Sequence, residues 1–124
     1  MANPDLIKTY VAQGAIPAYH LVKFGTVDYS VTVGTDATGL VGVTTEIAAA
    51  DGEAVDIIHD DIAFVQLGGT VTRGDPITGD ANGCGMHAIL GQRSVGIAIQ
   101  SGVVGDVIEV LLAISANVVG SSGS

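Results

Sequence analysis

Glycine falls between short apolar runs along almost the whole of this chain, and that spacing constrains the fold more than any other feature. Eighteen of the 124 residues are glycine, roughly twice the usual share of about 7%, and no collagen-like period accompanies them. Most sit where a strand would have to turn, because glycine reaches backbone conformations that other residues adopt only with strain. The stretches between them are aliphatic, β-branched and short. Many short strands at intervals of about ten residues argue for a barrel or a sandwich.

Read in order, strands are expected over residues 9–12, 20–24, 27–33, 40–44, 54–58, 63–67, 95–99 and 107–112, with Thr70-Val71-Thr72 leading into a turn at Arg73-Gly74-Asp75-Pro76. Residues 27–33, Val-Asp-Tyr-Ser-Val-Thr-Val, alternate with the period of two of a half-buried strand. Residues 77–88 read as loop-rich, with Asp80-Ala81-Asn82-Gly83 suited to a hairpin turn. Residues 45–50, rich in alanine, could form one helical turn; no segment carries a capped 3.6-residue stripe. The expectation is an all-β fold, a small β-barrel or β-sandwich of short strands with glycine-rich turns. Residues 1–9 are expected as a flexible, extended N-terminal arm, residues 10–115 as a single β domain, and residues 116–124 as a flexible tail.

An internal echo runs through the apolar segments. Val41-Gly42-Val43 followed by Asp51-Gly52-Glu53-Ala54-Val55-Asp56-Ile57-Ile58 resembles Val95-Gly96-Ile97 followed by Gly105-Asp106-Val107-Ile108-Glu109-Val110-Leu111-Leu112. Each reads as a Val-Gly-aliphatic strand, a turn of Gly and acid, and an alternating strand with an outward acid. Two similar β-units in one core are the physical sense of it, since two copies are too few for a solenoid.

Composition narrows the function. Hydrophobic residues make up 48% and charged ones 14%, which argues for a packed domain over disorder. Thirteen acids stand against four bases, a net charge of −9. Neutralising phosphate needs cations, so no nucleic-acid partner is expected. No apolar run approaches the ~18 residues of a spanning helix, so no membrane partner is expected either, and the start Met1-Ala2-Asn3-Pro4-Asp5 lacks the pattern of a secretory signal. Cys84 is the single cysteine, so no intrachain disulfide can form.

The candidate chemistry is sparse. His59-Asp60-Asp61 could place an imidazole and carboxylates near a divalent cation, but neighbouring strand residues alternate faces, and a polar turn is the plainer reading. Cys84 lies near His87 in Gly83-Cys84-Gly85-Met86-His87; a nucleophile pair would need a third group and a rigid pocket, and the glycine-flanked loop offers no nearby acid. Arg73-Gly74-Asp75 spells an adhesion tripeptide, yet Gly-Asp-Pro makes a good turn. Gly68-Gly69 has no Walker lysine after it, and few aromatics argue against a stacking platform. No catalytic residue, cofactor or metal is expected.

The order of turns resembles a known family. It runs through Gly14-Ala15-Ile16-Pro17-Ala18, Leu21-Val22-Lys23-Phe24, Leu40-Val41-Gly42-Val43-Thr44 and Asp51-Gly52-Glu53. It continues through Leu67-Gly68-Gly69-Thr70-Val71-Thr72-Arg73-Gly74-Asp75-Pro76-Ile77 to Gly105-Asp106-Val107-Ile108-Glu109-Val110-Leu111-Leu112. Together these resemble the capsid cement, or head decoration, proteins of tailed bacteriophages. The resemblance implies a structural capsid decoration protein, not an enzyme, made in the host bacterial cytoplasm and found on the virion. It would bind the outer surface of an icosahedral head as a homotrimer and stabilise it, with the major capsid protein and itself as partners. The arm residues Asn3, Pro4, Asp5, Leu6, Ile7 and Lys8 are the candidate shell contacts, since an extended segment can add to a neighbour's sheet edge.

Two alternatives stand beside it. A carrier module of the barrel-sandwich type would present a modifiable lysine at a hairpin tip, a place that neither Lys8 nor Lys23 occupies in sequence. A small metal-dependent hydrolase would be built on His59, Asp60 and Asp61.

Overall fold

The computed structural model of the chain describes residues 7–35, 39–59, 61–89 and 92–113, with the backbone alone described at Ile7 and Asp61. It is all-β. The strands are β1 (Ile7–Ala12), β2 (Leu21–Phe24), β3 (Ser30–Val33), β4 (Leu40–Thr44), β5 (Ala54–Ile58), β6 (Asp61–Gln66), β7 (Pro76–Gly79), β8 (Gly85–His87), β9 (Gly96–Ala98) and β10 (Val107–Leu112). β1–β5 close into a barrel in the order β1-β3-β2-β4-β5, and β6–β10 form a sheet in the order β6-β10-β9-β7-β8.

These are two copies of one five-stranded unit. β1 pairs with β5 as β6 does with β10, β5 with β4 as β10 with β9, β4 with β2 as β9 with β7, and β2 with β3 as β7 with β8. The register agrees as well: Val43 faces Ile58 as Ile97 faces Leu111, and Val22 faces Gly42 as Ile77 faces Gly96. The bridge Ile16–Ala49 has its counterpart in Val71–Gly102. Matching positions lie about 54 residues apart, so the echo seen in β4–β5 and β9–β10 is the visible part of a tandem repeat. Its glycines are explained by close approach. A Cβ on Gly42 would stand 2.7 Å from the Ile58 carbonyl oxygen, and one on Gly96 would collide with that of Leu111.

Alternation fills each unit. Val55 and Ile57 of β5 point into the barrel with Tyr10, Val22 and Val31, while Ile108 and Val110 of β10 point into the second unit with Val65, Leu67 and Ile77. A register shift opposite Val22 and Lys23 leaves Val41 as an extra residue in β4. Such a bulge turns the following residues over, so Leu40 and Val43 both face outward beside Leu21. All three are fully buried, because this outward side of the barrel joins the core of the second unit.

The units differ at their seams. In the barrel, β1 and β3 run parallel, with Val11 and Ala12 opposite Ser30 and Val31, and the Val11 amide donates to the Tyr29 carbonyl at 2.8 Å. In the second unit the matching parallel contact is the single bridge Leu67–Gly85. There the seam admits a wedge from the first unit. The Gln66 amide donates to the Tyr19 carbonyl at 2.9 Å, and the Leu21 amide donates to the Gly83 carbonyl at 2.7 Å.

Several expectations need correction. The strand expected at 27–33 begins only at Ser30: Ser30 Oγ donates to the Val27 carbonyl at 2.6 Å and Tyr29 takes φ +64°, which bends residues 27–29 into a turn despite their alternation. The segment 77–88 holds two strands, β7 and β8, joined by the hairpin turn expected at 80–83. Residues 45–50 make no helical turn; Ala49 instead bridges to Ile16, satisfying its backbone across the barrel end. Of the segment read as an arm at 1–9, residues 7–9 belong to β1, with Ile7 opposite Ile58, Lys8 opposite Ile57 and Thr9 opposite Asp56. Asn3, Pro4, Asp5 and Leu6, like the tail at 116–124, lie outside the described residues.

Candidate functional site

Residues that the sequence keeps far apart meet at the open end of the barrel. Phe24 closes β2 two residues beyond inward-facing Val22, so its ring reaches the rim, 6.2 Å between centroids from Tyr10. Beyond it the turn at residues 25–29 carries Val27 and Tyr29 into solvent, 66% and 69% exposed. Lys8 Nζ lies 5.5 Å from the centroid of the Tyr29 ring, a cation–π distance. Together these residues border an open cleft of about 540 Å3. Tyr29 holds a left-handed backbone that disfavours a bulky side chain, and the matching position of the second unit is Gly83, at φ +79°. Where the second unit has Val65, Gly79 and Gly83, the barrel has Tyr10, Phe24 and Tyr29.

His59 braces this rim from behind. Its Nδ1 faces the Val41 carbonyl at 2.7 Å, so that nitrogen must carry the proton; its Nε2, 2.6 Å from Tyr10 Oη, then accepts from the phenol. Burial raises the Tyr10 phenol above its ordinary pKa, which keeps it a donor. Both ring nitrogens of His59 are thus engaged within the protein. Asp60 lies outside the described residues, and the side chain of Asp61 with it. Among the described residues no three His, Cys, Asp or Glu side chains gather as a metal site would require.

Cys84 meets a histidine other than the one its sequence neighbourhood offers. Its Sγ lies 3.5 Å from Nε2 of His20, whose Nδ1 faces the Ala18 carbonyl at 2.8 Å. Nε2 is therefore the acceptor and the thiol the donor. Burial, and secondarily the carboxylate of Asp80, raise the Cys84 pKa. A thiol so held stays protonated, the form that does not attack as a nucleophile. His87, on the neighbouring β8, faces Asp75 instead, at 3.1 Å.

The Arg73-Gly74-Asp75 segment is a tight turn. Gly74 sits at φ +95°, the Asp75 amide donates to the Thr72 carbonyl, and the Thr72 amide donates to Asp75 Oδ2. Its carboxylate thus caps its own turn. Neither Lys8, in β1, nor Lys23, in β2 and donating to Thr35 Oγ1 at 3.1 Å, stands at a hairpin tip where a carrier module would present a modified lysine.

A second surface is apolar and open. On the outward side of β6, β9 and β10, Ile97 faces Leu111 and Leu111 faces Ile62, with Phe64 one row further on. All four are between 42% and 47% exposed. No motif marked this face in the sequence, because alternating aliphatics look alike whether a strand has one covered side or two.

No family model matches the chain, and no curated protein sequence matches it. Among solved structures, it superposes on the crystal structure of the head fiber gp8.5 N base of bacteriophage phi29, with a TM-score of 0.74 over 90% of this chain and 96% of that one. The two share a fold. Their sequences are 16% identical, so the likeness is one of architecture and transfers no residue roles.

Proposed function

We propose that this chain is a structural protein of a tailed-phage head, attached to the outer surface of the shell. The observation that carries this reading is the fold shared over nearly the full length of both chains with a phage head-fiber base. The order of glycine turns, which resembles head decoration proteins, points the same way from the sequence alone. In the finer form of the proposal the chain is a cement protein that acts as a homotrimer on the virion, binds the major capsid protein and stabilises the head, without catalysis. The acidic balance, −9 overall, suits a protein partner better than nucleic acid.

Shell contact is assigned to the N-terminal segment, Asn3, Pro4, Asp5 and Leu6, with Ile7 and Lys8 anchoring it in β1. A peptide segment can add to a sheet edge of the shell through main-chain hydrogen bonds. The test is co-sedimentation of the purified protein with expanded phage heads that lack it. Binding at a fixed number of copies per head is expected, and deletion of residues 2–6, which leaves β1 intact, should weaken it at least about tenfold. Absence of binding by the full chain would refute the head-surface reading, and undiminished binding after the deletion would refute the role of the arm.

A further inference from the structure

The repeat shows what its own surfaces are built to receive. Within one molecule the first unit offers an outward side, Leu21, Leu40 and Val43, and the second unit accepts it, with Gly83 at the point of closest approach. A Cβ on Gly83 would stand 2.7 Å from Val33 and 3.1 Å from the Leu21 carbonyl oxygen. By register, the same outward side on the second unit is Pro76, Ser94 and Ile97, with Leu111 beside Ile97; Pro76 and Ser94 are half-buried, while Ile97 and Leu111 are exposed. The matching end of the first unit is the aromatic rim, where the β1–β3 seam is closed and Phe24 and Tyr29 stand exposed. One molecule therefore carries an exposed apolar face on its second unit and an exposed aromatic rim on its first.

The geometry points to head-to-tail association of copies of this chain, the Ile97–Leu111 face of one copy seated on the Phe24–Tyr29 rim of the next. This rests on the proposed assembly role and deepens it by naming the two surfaces. The backbone bonds of the internal contact are not repeated between copies. Pro76 has no N–H to offer where Leu21 donates, and the Tyr29 carbonyl already accepts from Val11. Contact between copies falls instead to side chains, which accounts for Phe24 and Tyr29 standing where the second unit has Gly79 and Gly83. It also accounts for a tyrosine kept at φ +64°, since strained residues persist where a binding surface requires them. A contact between unlike faces either closes into a ring or runs on as a filament. In a closed trimer it would make a ring of six units.

The test is sedimentation velocity from about 1 to 100 µM, in the concentration range where moderate interfaces form. Tyr29→Gly damages the receiver while restoring the residue its backbone prefers, and Leu111→Lys damages the face at a site already half exposed, so both variants should fold. Each should weaken self-association by about tenfold or more. Mixed in equal amounts, the two retain one intact face and one intact receiver between them, and should form a 1:1 complex and nothing larger. A monomeric parent protein, unchanged association in either variant, or no complex in the mixture would each overturn the proposal. Association is read without phage heads, so its failure would leave head binding standing, and failed head binding would leave the association standing.

Discussion

Gly96 lies where β9 crosses closest to β10, and replacing it with alanine tests whether backbone approach, and not turn geometry, is what the repeat asks of its mid-strand glycines. A Cβ there collides with the Leu111 carbonyl oxygen and lies 3.0 Å from the Leu111 carbonyl carbon and 3.1 Å from Leu112 Cα. All three obstacles are backbone, so no side chain can swing aside. Relief requires β9 and β10 to part, which strains the pairs Gly96–Leu112, Ile97–Leu111 and Ala98–Val110. Two weakened hydrogen bonds at about 1 kcal/mol each, with an overpacking term of about 1–3 kcal/mol, give a loss of about 3–5 kcal/mol. Gly42→Ala in the barrel meets the Ile58 carbonyl oxygen at 2.7 Å and collides with Cγ2 of buried Ile57; because its nearest backbone contact is longer than at Gly96, its loss should be smaller, about 1–3 kcal/mol. Gly69→Ala is the control: its nearest neighbour is Met86 Cβ at 3.9 Å, so the change should be within about 0.5 kcal/mol of neutral. Urea denaturation followed by circular dichroism would rank the three at constant m-value. Equal stabilities for Gly96→Ala and Gly69→Ala would refute the reasoning.

Gly74→Val should destabilise by about 1–3 kcal/mol, because its φ of +95° is left-handed although no atom lies within 4 Å of a Cβ there; an unchanged melting temperature would remove the conformational argument. Cys84 should react with iodoacetamide more slowly than a free thiol at neutral pH, with a rate profile displaced to higher pH, as its raised pKa requires. The same shift adds stability that is present below the ordinary thiol pKa and is lost as pH rises through the raised one; a comparison with Cys84→Ala above pH 8 would show it as a difference between the two pH profiles.

Strands that end at glycine or acid turns were legible in the sequence almost to the residue: β4, β5 and β10 fall at the bounds that their aliphatic runs mark, β4 in spite of its bulge. β7 and β8 were not, because Thr78, Gly79 and Gly85 break any apolar pattern, and the hairpin is held by its buried partners instead. The repeat could be read only where both copies keep the Val-Gly-aliphatic signature. Elsewhere the inward positions have diverged in size, as Tyr10 from Val65 and Val31 from Gly85, while backbone register has not.

The site was less legible, for reasons of distance along the chain. Cys84 finds its acceptor in His20, which no local reading could supply, while nearby His87 turns to Asp75 across a different pair of strands. The aromatic rim gathers three of the five aromatic side chains of the sequence, drawn from β1, β2 and the turn after it. A low total concealed a high local density. The strained backbone of Tyr29 left no trace in the letters, since the alternation of residues 27–33 is what an ordinary strand would show.

The wedge at Tyr19–Leu21 links the melting of the two halves. Among the described residues strand pairing does not cross between units, which by itself would allow each to open alone. Yet the Gln66 amide has its acceptor, and the Gly83 carbonyl its donor, in the other half. Leu21, Leu40 and Val43 are likewise dry only while both halves are in place. Opening the barrel exchanges these two bonds for water and wets a shared core in its neighbour, a loss comparable with a sizeable part of a small domain's stability. The duplicated chain is thereby made to behave as one cooperative body, and a local breach in either half is resisted by the whole.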